Sequence, residues 1–325
     1  MQGRMIDISL EGSESWADTT AMVPVMEANG VETVWLASHL FQREPIARAA
    51  ALLAASSSLR ISLMAMSPYT VHPVYAAMAA ATLGEMFPGR VMLCLGVGAP
   101  RDLEAAGVEA PKPLSTLREA IAVTRALFSG EVVHHDGSTF SVHGRRLASG
   151  PCPVPLALAA SGPKMLELAG EAADAVLISA GASIPFIQSC LATVAEGEAR
   201  SGRRIRKVGL LYAAVSADEA TAHASLKRTL AFILRGAHHA RNIQLGGSTL
   251  DQVALGEAFA AEDWSAVERI MGDETVARHA ASGRPDQVRA RMQAYRDAGL
   301  DQLVLSGLKT ADDLDRLLPH LAAAD

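Results

Sequence analysis

Apolar residues along this chain fall into short runs that alternate with longer segments of helical spacing, from one end to the other. Candidate strands lie at residues 5–10, 33–37, 61–66, 91–96, 155–160, 175–179, 208–215 and 302–306. Each run is nearly continuous in apolar character, the mark of parallel strands covered on both faces. Helical patterns occupy residues 16–29, 45–57, 73–86, 115–128, 163–171, 184–200, 217–234, 285–298 and 311–322. Gly30 stands just past the first as a stop, and Ser115 is placed to cap the fourth. Eight strand–helix alternations predict an α/β fold, a (β/α)8 TIM barrel spanning residues 1–325 as one domain. An open doubly wound sheet is the alternative, because local patterning does not show whether a sheet closes.

Two segments break the rhythm. Residues 131–143 read as a hairpin turning at Asp136-Gly137, a two-residue turn signal between extended runs. Residues 238–283 exceed an ordinary connection and predict short helices lying over the barrel mouth.

Half of the 325 residues are hydrophobic and 20% are charged, enough to bury a large core in one barrel. The net charge of −6 comes without a block of like charges, which argues against a nucleic-acid partner. Cys94, Cys152 and Cys190 are scattered and odd in number, which points to a reducing compartment rather than to disulfides or zinc. No apolar run is long enough to span a bilayer and the first residues do not read as a secretory signal, so a cytoplasmic protein without a membrane partner is expected.

In a barrel of this type, chemistry belongs to the C-terminal strand ends and the loops that follow. Those positions hold Glu11 and Glu14, then Ser38 and His39, then Ser67, then Gly96, Val97 and Gly98. Further along come Ser161, Gly162, Pro163 and Lys164, and finally Ser179 and Ala180. Small and hydroxyl residues dominate, which suits close approach of a flat ring and a phosphate better than a metal cage. Pro163 can open a helix whose free amides at Lys164 and Met165 attract an anion; a plain proline-initiated helix is the alternative. Gly96-Val97-Gly98 lacks the third glycine and the opening helix of a dinucleotide loop, since Ala99-Pro100 intervenes. His39 can donate to a cofactor or carry a proton, or simply bond to backbone. Glu11 or Glu14 can serve as a general acid if enclosed beside an apolar ring, or lie solvated in a loop. The paired histidines His134-His135 and His238-His239 supply no complete metal ligand set.

At these residues the chain resembles the luciferase-like flavin and deazaflavin oxidoreductases, closest to the deazaflavin-dependent methylenetetrahydromethanopterin reductase branch. The stretch SPYTVHPVYAAMAAATLGEMFPGRVMLCLGVGAP (residues 67–100) carries most of the likeness. KPLSTLREAI (112–121), GPKMLELAGEAADAVLIS (162–179) and GRPDQV (283–288) extend it in colinear order. The resemblance implies a ring system resting on a distortion in the third strand, a non-prolyl cis peptide or a bulge at Met64, Ala65 and Met66. It implies a cofactor contact at His39, a glycine loop at Gly96, Val97 and Gly98, and a phosphate site at Gly162–Met165. Ser38 and Ala99 stand where the branch commonly carries acids, and Ser67 where it prefers asparagine. Glu14 aligns with a carboxylate of the branch. The implied activity is hydride transfer between coenzyme F420 and a small-molecule substrate in a homodimer. An FMN-dependent monooxygenase and a catalytically silent flavin-binding protein are the alternatives.

Overall fold

Strand pairing decides between the two architectures that the pattern left open. The computed structural model describes residues 6–321. In chain order come β1 (Ile6–Leu10), α1 (Trp16–Ala28), β2 (Thr33–Ala37), α2 (Pro45–Ala55), β3 (Arg60–Met66), α3 (Pro73–Met86), β4 (Val91–Leu95), α4 (Pro100–Ala105) and α5 (Pro113–Phe128). A hairpin of β5 (Val133–Asp136) and β6 (Ser141–Arg145) follows, then β7 (Leu156–Ala159), α6 (Pro163–Ala172), β8 (Ala175–Ile178), α7 (Ile184–Ser201), β9 (Arg206–Val215) and α8 (Glu219–Leu234). The long insertion holds α9 (Ala240–Leu245), α10 (Gln252–Ala260), α11 (Trp264–Met271), α12 (Asp273–His279) and β10 (Ala281–Gly283). The chain closes with α13 (Pro285–Asp297), β11 (Gln302–Ser306) and α14 (Ala311–Leu317).

The strands β11, β1, β2, β3, β4, β7, β8 and β9 pair in that order, and β9 returns to β11, so the parallel sheet is a closed eight-stranded barrel. Alternation along each strand splits the core in two. Ile8, Leu10, Val34, Leu36, Ile61 and Leu63 point outward and pack under the helices. Trp35, Met64, Cys94, Val208 and Val304 point inward and plug the barrel. A third cluster, including Leu230, Leu255, Val267 and Met271, seals the insertion against α8. All three cysteines are free and buried, and no helix among the described residues is long and apolar enough to cross a membrane.

Several local expectations need correction. Ser115 does not cap α5. That helix begins two residues earlier at Pro113, after Lys112 in a left-handed conformation, and the Ser115 hydroxyl donates to the Lys112 carbonyl at 3.0 Å. Asp136-Gly137 is not a two-residue turn, because Asp136 pairs with Ser141 and four residues lie between them. The Glu119 carboxylate of α5 organises that loop, accepting the backbone amides of Ser138, Thr139 and Phe140 and the Ser138 hydroxyl. Those bonds, led by the Ser138 hydroxyl, hold its carboxyl down to about 2. The insertion is not wholly helical, since β10 pairs beside β9. Finally, a short helix does open after Gly98: Pro100 starts α4 with its ring angle already helical.

The N-terminal end of the barrel carries one buried acid. Asp7 accepts the indole N–H of Trp35 at 2.7 Å and the amide of Thr33 at 3.1 Å, with the Gln302 side-chain amide as a further donor. Burial outweighs these donors and raises its carboxyl to about 7. The folded state therefore keeps a proton that the unfolded chain releases near pH 4, at roughly the ordinary aspartate value. The stabilisation is complete below that value and is lost as the pH rises through about 7. Asp7→Asn should remove this contribution: between pH 5 and pH 8, denaturant titrations should show the parent losing on the order of a few kcal/mol relative to the variant.

Candidate active site

The C-terminal ends of the strands surround a cavity of about 1360 Å³, larger than the few hundred to roughly a thousand Å³ of most small-molecule sites. Its floor is built from small side chains. Ala37, Ala65, Gly96 and Ala159 lie on four neighbouring strands or their ends and all reach it. At Gly96 a β-carbon would sit 2.8 Å from that of Ala65, so only glycine lets β3 and β4 approach there. The approach reflects a register shift in β3 between Leu63 and Met66, which turns both Met64 and Ala65 to the cavity. The distortion is thus a bulge; the described backbone holds no cis peptide bond.

Glu11 enters the cavity from the end of β1. Its Oε1 accepts the hydroxyl of Tyr212 at 2.8 Å and that of Ser306 at 2.6 Å, which leaves Oε2 for the cavity. Burial first, and the Glu11 charge second, push the Tyr212 phenol far up, so it remains a donor at any working pH. The buried hydroxyl of Ser9, two residues back on the same inward face, has no partner among the described residues. An orphaned hydroxyl beside a flat floor of small residues fits a planar, heteroatom-bearing ring.

His39 stands on the rim with Ser38, after β2. Its Nδ1 lies 3.4 Å from the Asp102 carboxylate, an ion pair when the ring is protonated. Asp102 comes from α4, three residues after Ala99, and so brings an acid to His39 although neither Ser38 nor Ala99 is one. Val97, Gly98, Ser161, Gly162, Met165 and Ser179 complete this side of the wall, with Ala180 adjoining.

Other sequence candidates lie elsewhere. Glu14 does not line the cavity. It is buried behind the β1–α1 loop, where it accepts the amides of Glu11 at 3.0 Å and Gly12 at 2.8 Å and pairs with Arg48 at 3.2 Å. Its work is to fix the loop that carries Glu11. Ser67 backs the glycine loop from below, donating its hydroxyl to the Val97 carbonyl at 2.6 Å, so it is not free for a ring oxygen. Met66 points into the outer core. Pro163 and Lys164 are exposed beyond the wall. The Met165 amide, expected to be free, turns back to the Gly162 carbonyl at 3.0 Å, because the first turn of α6 is tight. His239 reaches the cavity, and burial, with His238 and His279 adding to it, lowers its imidazole to about 4. No cluster of three or more metal-type ligands exists among the described residues.

Sequence reasoning missed Asp102, Tyr212 and Ser306. The two hydroxyls could have been found by carrying the inward alternation of β9 and β11 to their upper ends; nothing local marks Asp102 as a partner of His39.

A family model described as luciferase-like monooxygenase matches residues 5–302. The chain belongs to that family. It is 30% identical over 290 residues to the 5,10-methylenetetrahydromethanopterin reductase of Archaeoglobus fulgidus, covering 87% of each chain. It is likewise 30% identical to an F420-dependent glucose-6-phosphate dehydrogenase of Beutenbergia cavernae, covering 95% of this chain and 94% of that one. In fold it is similar to the coenzyme F420-dependent tetrahydromethanopterin reductase of Methanopyrus kandleri, with TM-score 0.90, 20% identity and 99% of both chains covered.

The geometry around Glu14 makes a separable prediction. Glu14→Ala leaves Arg48 buried without its charge partner, and the cost should be about 3–5 kcal/mol. A chemical melt is expected to show it, whereas a Glu14 variant of unchanged stability would return this residue to the list of chemical groups.

Proposed function

We propose that this chain is a coenzyme F420-dependent oxidoreductase that passes a hydride between the deazaflavin and a small organic substrate. The observation that carries the reading is the flat floor of Ala37, Ala65, Gly96 and Ala159, bordered by His39 and Glu11. The names of relatives at 30% identity favour the deazaflavin over FMN. When bound, the deazaflavin supplies the carbon that takes or gives the hydride.

The residues of the chain do the rest. The β3 bulge and Gly96 let a ring lie against backbone. His39, its Nδ1 set 3.4 Å from Asp102, donates to the substrate or the ring and can exchange a proton at Nε2. Glu11, its Oε1 held by two hydroxyls, presents Oε2 as a fixed acceptor or, once protonated, as an acid. The start of α6 at Gly162 lies on the cavity wall, where the helix dipole rather than the Met165 amide favours the phosphorylated tail. Purified protein titrated with F420, FMN and FAD should bind F420 at least tenfold tighter than FMN. In turnover, His39→Ala and Glu11→Gln should each lose roughly 10²–10⁴-fold while retaining F420. Preferential FMN binding with oxygen uptake on reduction would instead make it a monooxygenase, and binding without turnover a silent relative.

Homodimerisation in the cytoplasm is part of the same proposal. The outer faces of α1, α2 and α3 support it. Trp16, Ala21 and Pro24, then Ala47 and Ala54, then Tyr75, Met78 and Met86 are exposed there, nearly without charge. Other helices carry ion pairs outward, such as Arg200 with Glu167 and Glu171. An extended uncharged face of this kind is a protein contact. Sedimentation equilibrium should give the dimer mass for the parent and the monomer mass for Met78→Glu; a monomeric parent would end the proposal.

A further inference from the structure

The cavity has two unlike sides. The floor holds alanine, glycine and serine, whereas the side formed by α8 and the insertion carries Phe232, Phe259 and Trp264. Only 4% of the chain is aromatic, so this gathering is not a sampling of the composition. Phe259 and Trp264 stand edge to face, 5.3 Å apart at 87°, and Phe232 is tilted against Phe259, 6.0 Å away at 53°.

Three arginines brace them. Arg235 lies 3.9 Å from the Phe259 centroid and 4.7 Å from that of Phe232, and Arg228 lies 5.1 Å from Trp264. Arg228 is itself held by Glu268 at 2.7 Å. Arg101 of α4, from a different rim of the mouth, comes within 5.9 Å of Phe232. Rings fixed in this way form a preorganised stacking surface. Phe232 is nevertheless 54% exposed, although neighbours such as Leu230 and Leu234 on the same helix are fully buried. Filling the core of the insertion does not account for a ring left open at the cavity.

We infer that this wall recognises the substrate, and that the substrate is a planar, conjugated ring compound rather than a sugar or other polyol. The inference rests on the proposed deazaflavin reading, with the coenzyme ring on the small-residue floor and the substrate ring against Phe232 and Trp264. Stacking favours a flat π-system over a saturated ring of equal size, because ring edges and faces complement one another only in the former.

Acetophenone and cyclohexyl methyl ketone, matched in size and carbonyl, provide the test, with glucose 6-phosphate as the polyol. Binding is measured by equilibrium dialysis to the protein with and without saturating F420. The loaded parent should prefer acetophenone about tenfold over both others. Phe232→Leu, which keeps apolar bulk but removes the ring, should reduce that preference at least threefold, with F420 affinity changed less than twofold. Equal affinity for the two ketones, a preference for glucose 6-phosphate, or an unchanged preference in Phe232→Leu would each overturn the assignment. Displacement of acetophenone by F420 would also overturn it, because the rings would then serve the coenzyme. If F420 does not bind at all but the free protein keeps the tenfold preference and loses it in Phe232→Leu, the ring-binding wall stands and the deazaflavin reading falls.

Discussion

Closure of the parallel sheet is the constraint from which the site follows. A closed barrel gives every inward side chain a fixed set of neighbours, so the interior must be filled layer by layer. Trp35, Met64, Val208 and Val304 fill the middle. Above them the inward residues shrink to Ala37, Gly96 and Ala159, and the barrel opens into a cavity. Closure also creates the polar clamp on Glu11. Its two hydroxyl donors, Tyr212 and Ser306, stand 201 and 295 residues away in sequence and meet it because β9, β11 and β1 are consecutive in the ring.

On that rigid base, loops supply the adjustable chemistry. The β1–α1 loop is tied down from behind by Glu14, which accepts two of its amides, and by Arg48, which pairs with Glu14 and donates to the Thr19 hydroxyl. The glycine loop is tied by Ser67 and leads directly into α4, whose Asp102 faces His39 and whose Arg101 faces Phe232. One six-residue helix therefore touches both the His39 rim and the aromatic wall. Strength of support and placement of function are separated here: the groups that hold the loops are buried and paired, and the groups that face the cavity are left with a free atom.

The positions of the barrel strands were legible because each is buried on both faces and reads as an unbroken apolar run; the runs at 33–37 and 302–306 match β2 and β11 residue for residue. Proline-initiated helices such as α3 and α6 were equally plain, since the ring fixes the first helical turn. The hairpin turn and the start of α5 were misread for different reasons. A contact from elsewhere, the Glu119 carboxylate, outweighed the local preference at the turn, whereas Pro113, after a left-handed Lys112, opened α5 ahead of the serine cap.

By itself the sequence determined the eight barrel strands and the helices that pack around them, the end of the barrel on which His39, Glu11 and the Gly96 loop lie, and the kind of surface they make. Those properties depend on periodicity and on the direction of each strand, which are local. The tertiary structure decided that Glu14 supports rather than faces the cavity, that Asp102 lies beside His39, and that Phe232 and Trp264 gather opposite the small-residue floor. Each of these is a pairing across distant segments, and its energy exists only once the ring of strands has brought the partners within a few ångströms.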